Sequence, residues 1–223
     1  MSDNYGPISK LARYLLRRRK SQEAIHAFFI TGTDTGIGKT SITCALLSEF
    51  RRQNIPAAGF KPICCGDRED AKKFWRLSDK KIPLHVINPV HLSRPLAPIA
   101  QRSPHWNVMI RRIHRALRQY PKFGIQILLV EGVGGLFCPV DRKRTMRELA
   151  GAMRLPLVIV ARNQLGVLNH VLLTVEAIRS KRQTCAAIVL TSARKRASSY
   201  SDHSRSTNAA MLKRIIKIPI FEF

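Results

Sequence analysis

Ala27-Phe28-Phe29-Ile30, followed at once by Gly32-Thr33-Asp34-Thr35-Gly36-Ile37-Gly38-Lys39-Thr40, is the stretch on which the reading of this chain turns. A short aromatic and β-branched run that stops at a glycine reads as a buried strand entering a turn. From Lys39 to about Arg52 there is neither Gly nor Pro, and Ile42, Leu46 and Phe50 recur at four-residue spacing, so a helix follows the loop directly. In a strand, glycine-rich loop and helix, backbone N–H groups and the helix N-terminus converge on an anion. The glycines permit positive φ and close backbone approach, Lys39 is placed to reach terminal phosphates, and the Thr40 hydroxyl is placed to bind Mg²⁺. From Gly32 to Gly38 the loop is one residue longer than the ordinary phosphate-binding loop.

Outward from this stretch, short apolar runs recur at Ala57 to Phe60, Ile125 to Val130, Leu157 to Val160 and Ala186 to Leu190. Each is apolar on both faces, as parallel strands covered on both sides are. Between them lie helical patterns at Ile110, Ile113 and Leu117 and over Leu168 to Ile178. The alternation predicts an α/β fold: three α/β/α layers with a mostly parallel sheet, like that of the P-loop nucleoside triphosphate hydrolases. Residues 1–25 read as a basic N-terminal extension. Leu11, Leu15 and Leu16 stand beside Arg17-Arg18-Arg19-Lys20 in a short amphipathic helix, in the reverse order of a signal peptide. Residues 26–223 read as one α/β domain. Ser192 to Asn208, rich in Ser, Arg and Lys, is expected to be an exposed or poorly ordered loop, with order returning near Met211.

Bulk properties exclude some classes and leave others open. A hydrophobic fraction of 45% with no apolar stretch near the ~18 residues of a membrane span points to a soluble protein with no membrane partner. The formal charge of +25, from 39 Lys and Arg against 14 Asp and Glu, attracts phosphates, nucleic acid and anionic surfaces alike and so does not decide among them. Five scattered cysteines, without CxxC pairs, suggest neither a zinc site nor a disulfide framework and fit a reducing, cytoplasmic setting.

A second signal, Val130-Glu131-Gly132-Val133-Gly134-Gly135, puts a carboxylate at the carboxyl end of a strand, where open α/β sheets gather ligands. Glu131 there is a natural Mg²⁺ partner for Thr40. Lys61-Pro62 ends the second strand, with Cys64-Cys65-Gly66 and the acidic Asp67, Glu69 and Asp70 just beyond.

These motifs together, Gly32-Thr33-Asp34-Thr35 with Gly38-Lys39-Thr40, Gly59-Phe60-Lys61-Pro62, Val130-Glu131-Gly132 with Gly134-Gly135, and Leu165-Gly166-Val167-Leu168-Asn169-His170, resemble dethiobiotin synthetase in order and separation. The resemblance runs from about Phe28 to Leu190. It implies an ATP- and Mg²⁺-dependent ligase that joins CO₂ or bicarbonate to 7,8-diaminononanoate, activates the carbamate by phosphoryl transfer and closes the ureido ring. It also implies a homodimer. On that resemblance Lys61 and Lys39 are the catalytic residues, and Thr40, Asp70 and Glu131 hold the metal. Nucleotide contacts fall to Gly36, Ile37, Gly38, Lys39, Thr40 and Ser41, to Asp70, to Glu131, Gly132, Val133 and Gly134, and to Thr191. Thr35, Cys65 and Asn169 contact the diamine. Asn169-His170 is associated in the family with the dimer interface and diamine pocket; an N-cap with a packed imidazole is the plainer reading.

The chain departs from the family pattern in several places. Gly36 stands where well-known members carry Glu, Cys65 where a substrate-binding Ser is common, and Gln164 where relatives have Lys. Thr191-Ser192 replaces an Asn-Asp pair that meets the adenine edge. A partition- or iron-protein-like ATPase that binds DNA or a protein partner shares the sheet, but its signature lysine early in the loop is absent here. An amidotransferase acting on cobyrinate-like acids would need a glutaminase domain for which the length leaves no room. An inactive nucleotide-binding descendant is the remaining alternative.

Overall fold

A computed structural model describes residues 6–18, 25–192 and 202–223. In chain order the elements are α1 (Pro7–Arg17), β1 (His26–Gly32), α2 (Lys39–Arg52), β2 (Ala57–Phe60), β3 (Ile63–Cys65), α3 (Glu69–Leu77), α4 (Leu84–Ile87), β4 (Val90–Leu92), α5 (Trp106–Leu117), β5 (Ile127–Glu131), α6 (Met146–Met153), β6 (Leu157–Asn163), α7 (Val167–Arg179), β7 (Cys185–Ser192), α8 (Asn208–Ile215) and β8 (Ile220–Glu222).

Six strands form one sheet in the order β2-β5-β1-β6-β7-β8, and every neighbouring pair is parallel. Phe29 lies opposite Val130 on one side and Leu157 on the other, so β1 occupies the middle of the sheet. The residues of β1 from Phe28 onward and all of β5 are buried, which is why these strands read as unbroken apolar runs rather than alternating ones. β3 and β4 make a separate parallel pair.

The chain leaves β1 through α2 for β2 at one edge, and later steps from β6 through α7 to β7, then through α8 to β8, at the other. Parallel crossovers are right-handed, so opposite directions of travel put α2 and α7 on opposite faces. α1 packs against α2, and α7 against α8. The three-layer expectation is met, and each of the five anticipated strands is present.

Two regions differ from the expectation. Residues 7–17 are a helix of the domain itself: Leu11, Ala12 and Leu15 are buried, and the Tyr14 hydroxyl donates to the Ala186 carbonyl of β7 at 2.9 Å. Of the stretch Ser192 to Asn208, residues 193–201 lie outside the described residues. In its described part His203–Ser206 form a 3₁₀ turn and α8 begins at Asn208, earlier than Met211. The cause is polar anchoring. Asp202 accepts from the Ser204 and Leu165 backbone N–H groups at 3.1 and 2.8 Å, and the buried Asn208 amide donates to Asn163 Oδ1 at 2.8 Å. β8 is a further strand that its three residues gave no reason to expect; it extends the sheet beyond β7.

Candidate active site

The loop after β1 is shaped by Gly36 and Gly38, at φ +68° and +99°, a region that L side chains adopt only under strain. Gly38 is the N-cap of α2. Three outward carbonyls of the loop are held by side chains. Lys39 Nζ donates to the Asp34 carbonyl at 3.0 Å, the Arg162 guanidinium donates to the Gly36 carbonyl, and the Thr191 hydroxyl donates to the Ile37 carbonyl at 2.8 Å. The loop is thereby pinned to the carboxyl ends of β6 and β7. Ile37 is buried beneath it, and Ser41 is exposed in the first turn of α2.

Behind the loop is a charged cluster that the fold nearly closes off from water. Lys61 and Glu131 are 3% and 0% exposed. Lys61 Nζ donates to Glu131 Oε1 at 2.6 Å, to Asp70 Oδ2 at 2.8 Å and to the Gly132 carbonyl at 3.3 Å. Burial works against the ammonium, but the Glu131 and Asp70 charges outweigh it, so the Lys61 pKa is raised and the group is a fixed cation. Asp70 is only partly buried, and Lys61 and the Thr40 hydroxyl overcome its desolvation, so its carboxyl is held below the ordinary value. Lys39 is different. Its desolvation exceeds the attraction of Glu131, and its pKa is lowered.

The Thr40 hydroxyl lies 2.9 Å from Asp70 Oδ1 and 2.8 Å from Glu131 Oε1. A hydroxyl has one proton. It satisfies one carboxylate, and its contact with the other sets oxygen lone pairs face to face, a place suited to a hard cation. Thr43, one turn along α2, donates to Glu131 Oε2 at 2.7 Å and fixes that carboxylate from the other side. Among the described residues no group of three or more His, Cys, Asp or Glu side chains is arranged to hold a metal ion by itself.

A cleft of roughly 550 Å³ opens over the cluster, lined by Thr35, Gly36, Gly38, Lys39, Thr40, Ser41, Lys61, Cys65, Asp70, Val133 and Gly134. Glu131 and Gly132 do not line the cleft themselves; both accept from Lys61, which does. The structure thus brings most of the anticipated residues together. Thr191 is 8% exposed and its hydroxyl donates to the loop backbone, so it shapes the loop. Asn169 is exposed in the first turn of α7 and lies outside the cleft.

Some contributors escaped the sequence reading. Cys64, Cys138, Lys73 and the segment Pro95–Ala97 also line the cleft. Asn88 donates to the Lys61 carbonyl at 2.8 Å and accepts from Arg68 at 3.0 Å, bracing the strand end that carries Lys61. Thr43 had a legible signal, since it sits three residues after Thr40 on the same helix face. The others depend on contacts distant in sequence. Cys65 has its thiol pushed up to about 11 by burial, with smaller contributions from Cys64 and Cys138, so it is a neutral thiol near pH 7.

Comparison with known proteins gives a consistent result. Residues 26–221 match a family model described as an AAA domain. The chain is 35% identical to the ATP-dependent dethiobiotin synthetase BioD of Akkermansia muciniphila, over 86% of this chain and 89% of that protein. It is 37% identical to the protein of the same name from Anaeromyxobacter dehalogenans strain 2CP-1, over 86% of each, and 34% identical to that of Thermodesulfovibrio yellowstonii, over 86% and 85%. Among solved structures it shares its fold with chloroplast FtsY of Physcomitrella patens, at a TM-score of 0.55 and 14% identity over 96% of this chain and 64% of that one. It also shares it with the kinase domain of the Escherichia coli tyrosine kinase ETK, at 0.56 and 13% over 87% and 79%. With a loop built for a triphosphate, a buried lysine–carboxylate cluster beneath it and this extent of sequence identity, the chain belongs to the ATP-dependent dethiobiotin synthetase family.

Proposed function

We propose that the protein carboxylates and cyclises 7,8-diaminononanoate to dethiobiotin at the expense of ATP, with Lys61 as the central catalytic group. The observation that carries this reading is the Lys61 ammonium itself: buried, permanently charged and set between the phosphate loop and two carboxylates.

One amine of the substrate attacks CO₂ and loses a proton, giving a carbamate. A carbamate oxygen then attacks the γ-phosphorus of ATP, ADP leaves, and a carbamic–phosphoric anhydride results. The second amine attacks the carbamyl carbon, phosphate departs, and the ureido ring closes. Lys61 stabilises the carbamate and the phosphoryl group passing to it, and Lys39 stabilises the terminal phosphates. Such preorganised charge in a site shielded from water is the largest ordinary source of rate enhancement. Loop amides from Gly36 to Ser41 cradle the phosphates, with Val133 and Gly134 along the opposite wall. Thr35 and Cys65 meet the diamine.

The donor set of Thr40, Asp70 and Glu131, three hard oxygens with one proton among the hydroxyl contacts, fits Mg²⁺. These residues would hold the ion, and Mg²⁺ when bound neutralises phosphate charge.

We further propose that the protein is a homodimer whose seam crosses α7. Leu165, just before α7, and Leu173 on it are 79% and 61% exposed, near Asn169, and apolar side chains so placed fit a second copy. Asn169 then serves the diamine of the neighbouring copy, in keeping with its place outside the cleft of its own chain. Five free thiols support a reducing compartment, the cytoplasm. Among the described residues no helix is long and apolar enough to cross a membrane.

The test is incubation of purified protein with Mg-ATP, diaminononanoate and ¹³C-bicarbonate, followed by mass spectrometry. Dethiobiotin carrying the label in its ureido carbonyl is the expected product. Absence of labelled product from a folded, ATP-binding protein contradicts the assignment.

A further inference from the structure

The proposed reaction uses small ligands and leaves the charge of +25 without a task. That charge is unevenly placed. Between Asp79 and Glu131 the chain carries no carboxylate at all but nine Lys and Arg. α5 and its C-cap gather four of them in a short space. Met109, Ile113 and Ala116 form its buried side. At 3.6 residues per turn, Arg111, Arg115 and Arg118 fall within about 60° of arc on the side away from those residues. All three are exposed, as is Arg112 beside them.

No carboxylate among the described residues pairs with any of these four arginines. Arg111 and Arg115 at i,i+4, and Arg115 and Arg118 at i,i+3, are like-charge neighbours that destabilise the helix carrying them. Favourable interaction with the helix dipole accounts for cations in the last turn, which covers Arg115 and Arg118 but not Arg111 and Arg112 in the middle. An external anion relieves all of these repulsions together.

We infer that this face of α5 docks on the phosphate backbone of duplex nucleic acid, independently of base sequence. The stripe from Arg111 to Arg118 is about 10 Å long at 1.5 Å per residue, against a strand that presents a charge about every 3.4 Å of axis. Two other anionic partners fit less well. Unpaired bases need exposed aromatic rings to stack on. The exposed aromatic side chains among the described residues, Phe137 and Phe223, are on other elements, and Trp106 of α5 is half-buried under the Arg144 guanidinium. An anionic bilayer needs apolar side chains to insert, and α5 exposes no large one.

The experiment is fluorescence anisotropy of a short labelled duplex DNA of random sequence, titrated with the full chain at several salt concentrations. The triple variant Arg111→Gln, Arg115→Gln, Arg118→Gln is compared with Arg179→Gln, Lys181→Gln, Arg182→Gln, which removes the same charge from the end of α7 and the turn after it. Removing three phosphate contacts lowers the slope of log affinity against log salt by about 2 to 3. The α5 variant is therefore expected to bind at least tenfold more weakly near 0.1 M salt, with that loss of slope, while the α7 variant stays within about twofold of the unaltered protein. Both variants should keep ATP-dependent turnover, which shows them folded and separates this proposal from the catalytic one. Equal weakening by the two variants, failure of the unaltered protein to bind duplex at physiological salt, or binding to phosphatidylglycerol vesicles in place of duplex would each overturn it.

Discussion

The Lys61 ammonium stands 2.6 and 2.8 Å from two carboxylate oxygens in a place that water scarcely reaches. Removing the ammonium leaves Glu131 buried without a counter-charge beside a partly exposed Asp70, at a cost on the order of 3 kcal/mol. Lys61→Met should therefore lower the melting temperature measured without Mg²⁺, and Mg²⁺ should recover part of the loss by taking the place of the ammonium between Asp70 and Glu131. Turnover should fall by roughly 100-fold or more at any Mg²⁺ concentration. A variant that melts normally and turns over normally contradicts the role given to this lysine. Lys39→Gln should abolish ATP-dependent turnover; unchanged activity removes the phosphate-cradle assignment. Cys65→Ser replaces a weak thiol partner with a hydroxyl and should lower KM for the diamine several-fold with little change in kcat. A raised KM argues that Cys65 does not meet the substrate.

Most residues of this cluster were legible because they end a strand or open a helix next to a glycine or proline; Asp70, in the first turn of α3, is the exception. Gly38-Lys39-Thr40, Lys61-Pro62 and Glu131-Gly132 all mark the carboxyl edge of a parallel sheet. What supports them was not legible. Arg162 and Thr191 act on the loop from more than a hundred residues away, and Asn88 carries no local sign that it would hold the Lys61 carbonyl.

α1 shows the same limit at the scale of an element. Its leucines, Leu11, Leu15 and Leu16, predict a short amphipathic helix, yet nothing local says what covers them. The answer is α2 and β8, with Tyr14 set against Phe221 at 5.6 Å between ring centres. Leu15→Ala, at a fully buried position, should cost about 2–5 kcal/mol in urea denaturation. A loss under 0.5 kcal/mol means that α1 is not part of the cooperative domain.

Glu49, near the end of α2, ties these helices through hydrogen bonds from Arg52, Gln53 and Ser9 of α1. The bonds from Arg52, opposed by burial and aided by Gln53 and Ser9, pull its carboxyl from 4.5 down to about 2. A depressed carboxyl stabilises the fold fully above its unfolded value, and the contribution fades as pH falls from about 4.5 towards 2. Glu49→Gln should flatten the acid limb of stability over that window and leave the slope at neutral pH unchanged. An acid limb as steep as before places the sensitivity elsewhere. Asp70, also held low, adds to the same limb. Lys61, held high, contributes fully below pH 10.5 and is lost only above it.

Taken as a whole, the molecule divides its labour between the two halves of its surface chemistry. The carboxyl edge of the sheet collects the fixed charges that the reaction needs, and most of the excess positive charge lies elsewhere. The parallel, doubly covered sheet was legible from five apolar runs and the helices between them, because burial on both faces removes polar residues from a strand. The last strand was not, since three residues at an edge carry too little pattern. Nor did composition locate the +25: a total fixes the strength of a field but not the face from which it issues.

The most direct test of the account is phosphate release from Mg-ATP by purified protein, measured with and without 7,8-diaminononanoate and bicarbonate. Release that requires both, at one phosphate per dethiobiotin formed, is the predicted result. Phosphate release at an equal rate without the diamine, or none in its presence from protein that still binds ATP, would contradict the assignment of Lys61 and the loop to a carbamate-directed phosphoryl transfer.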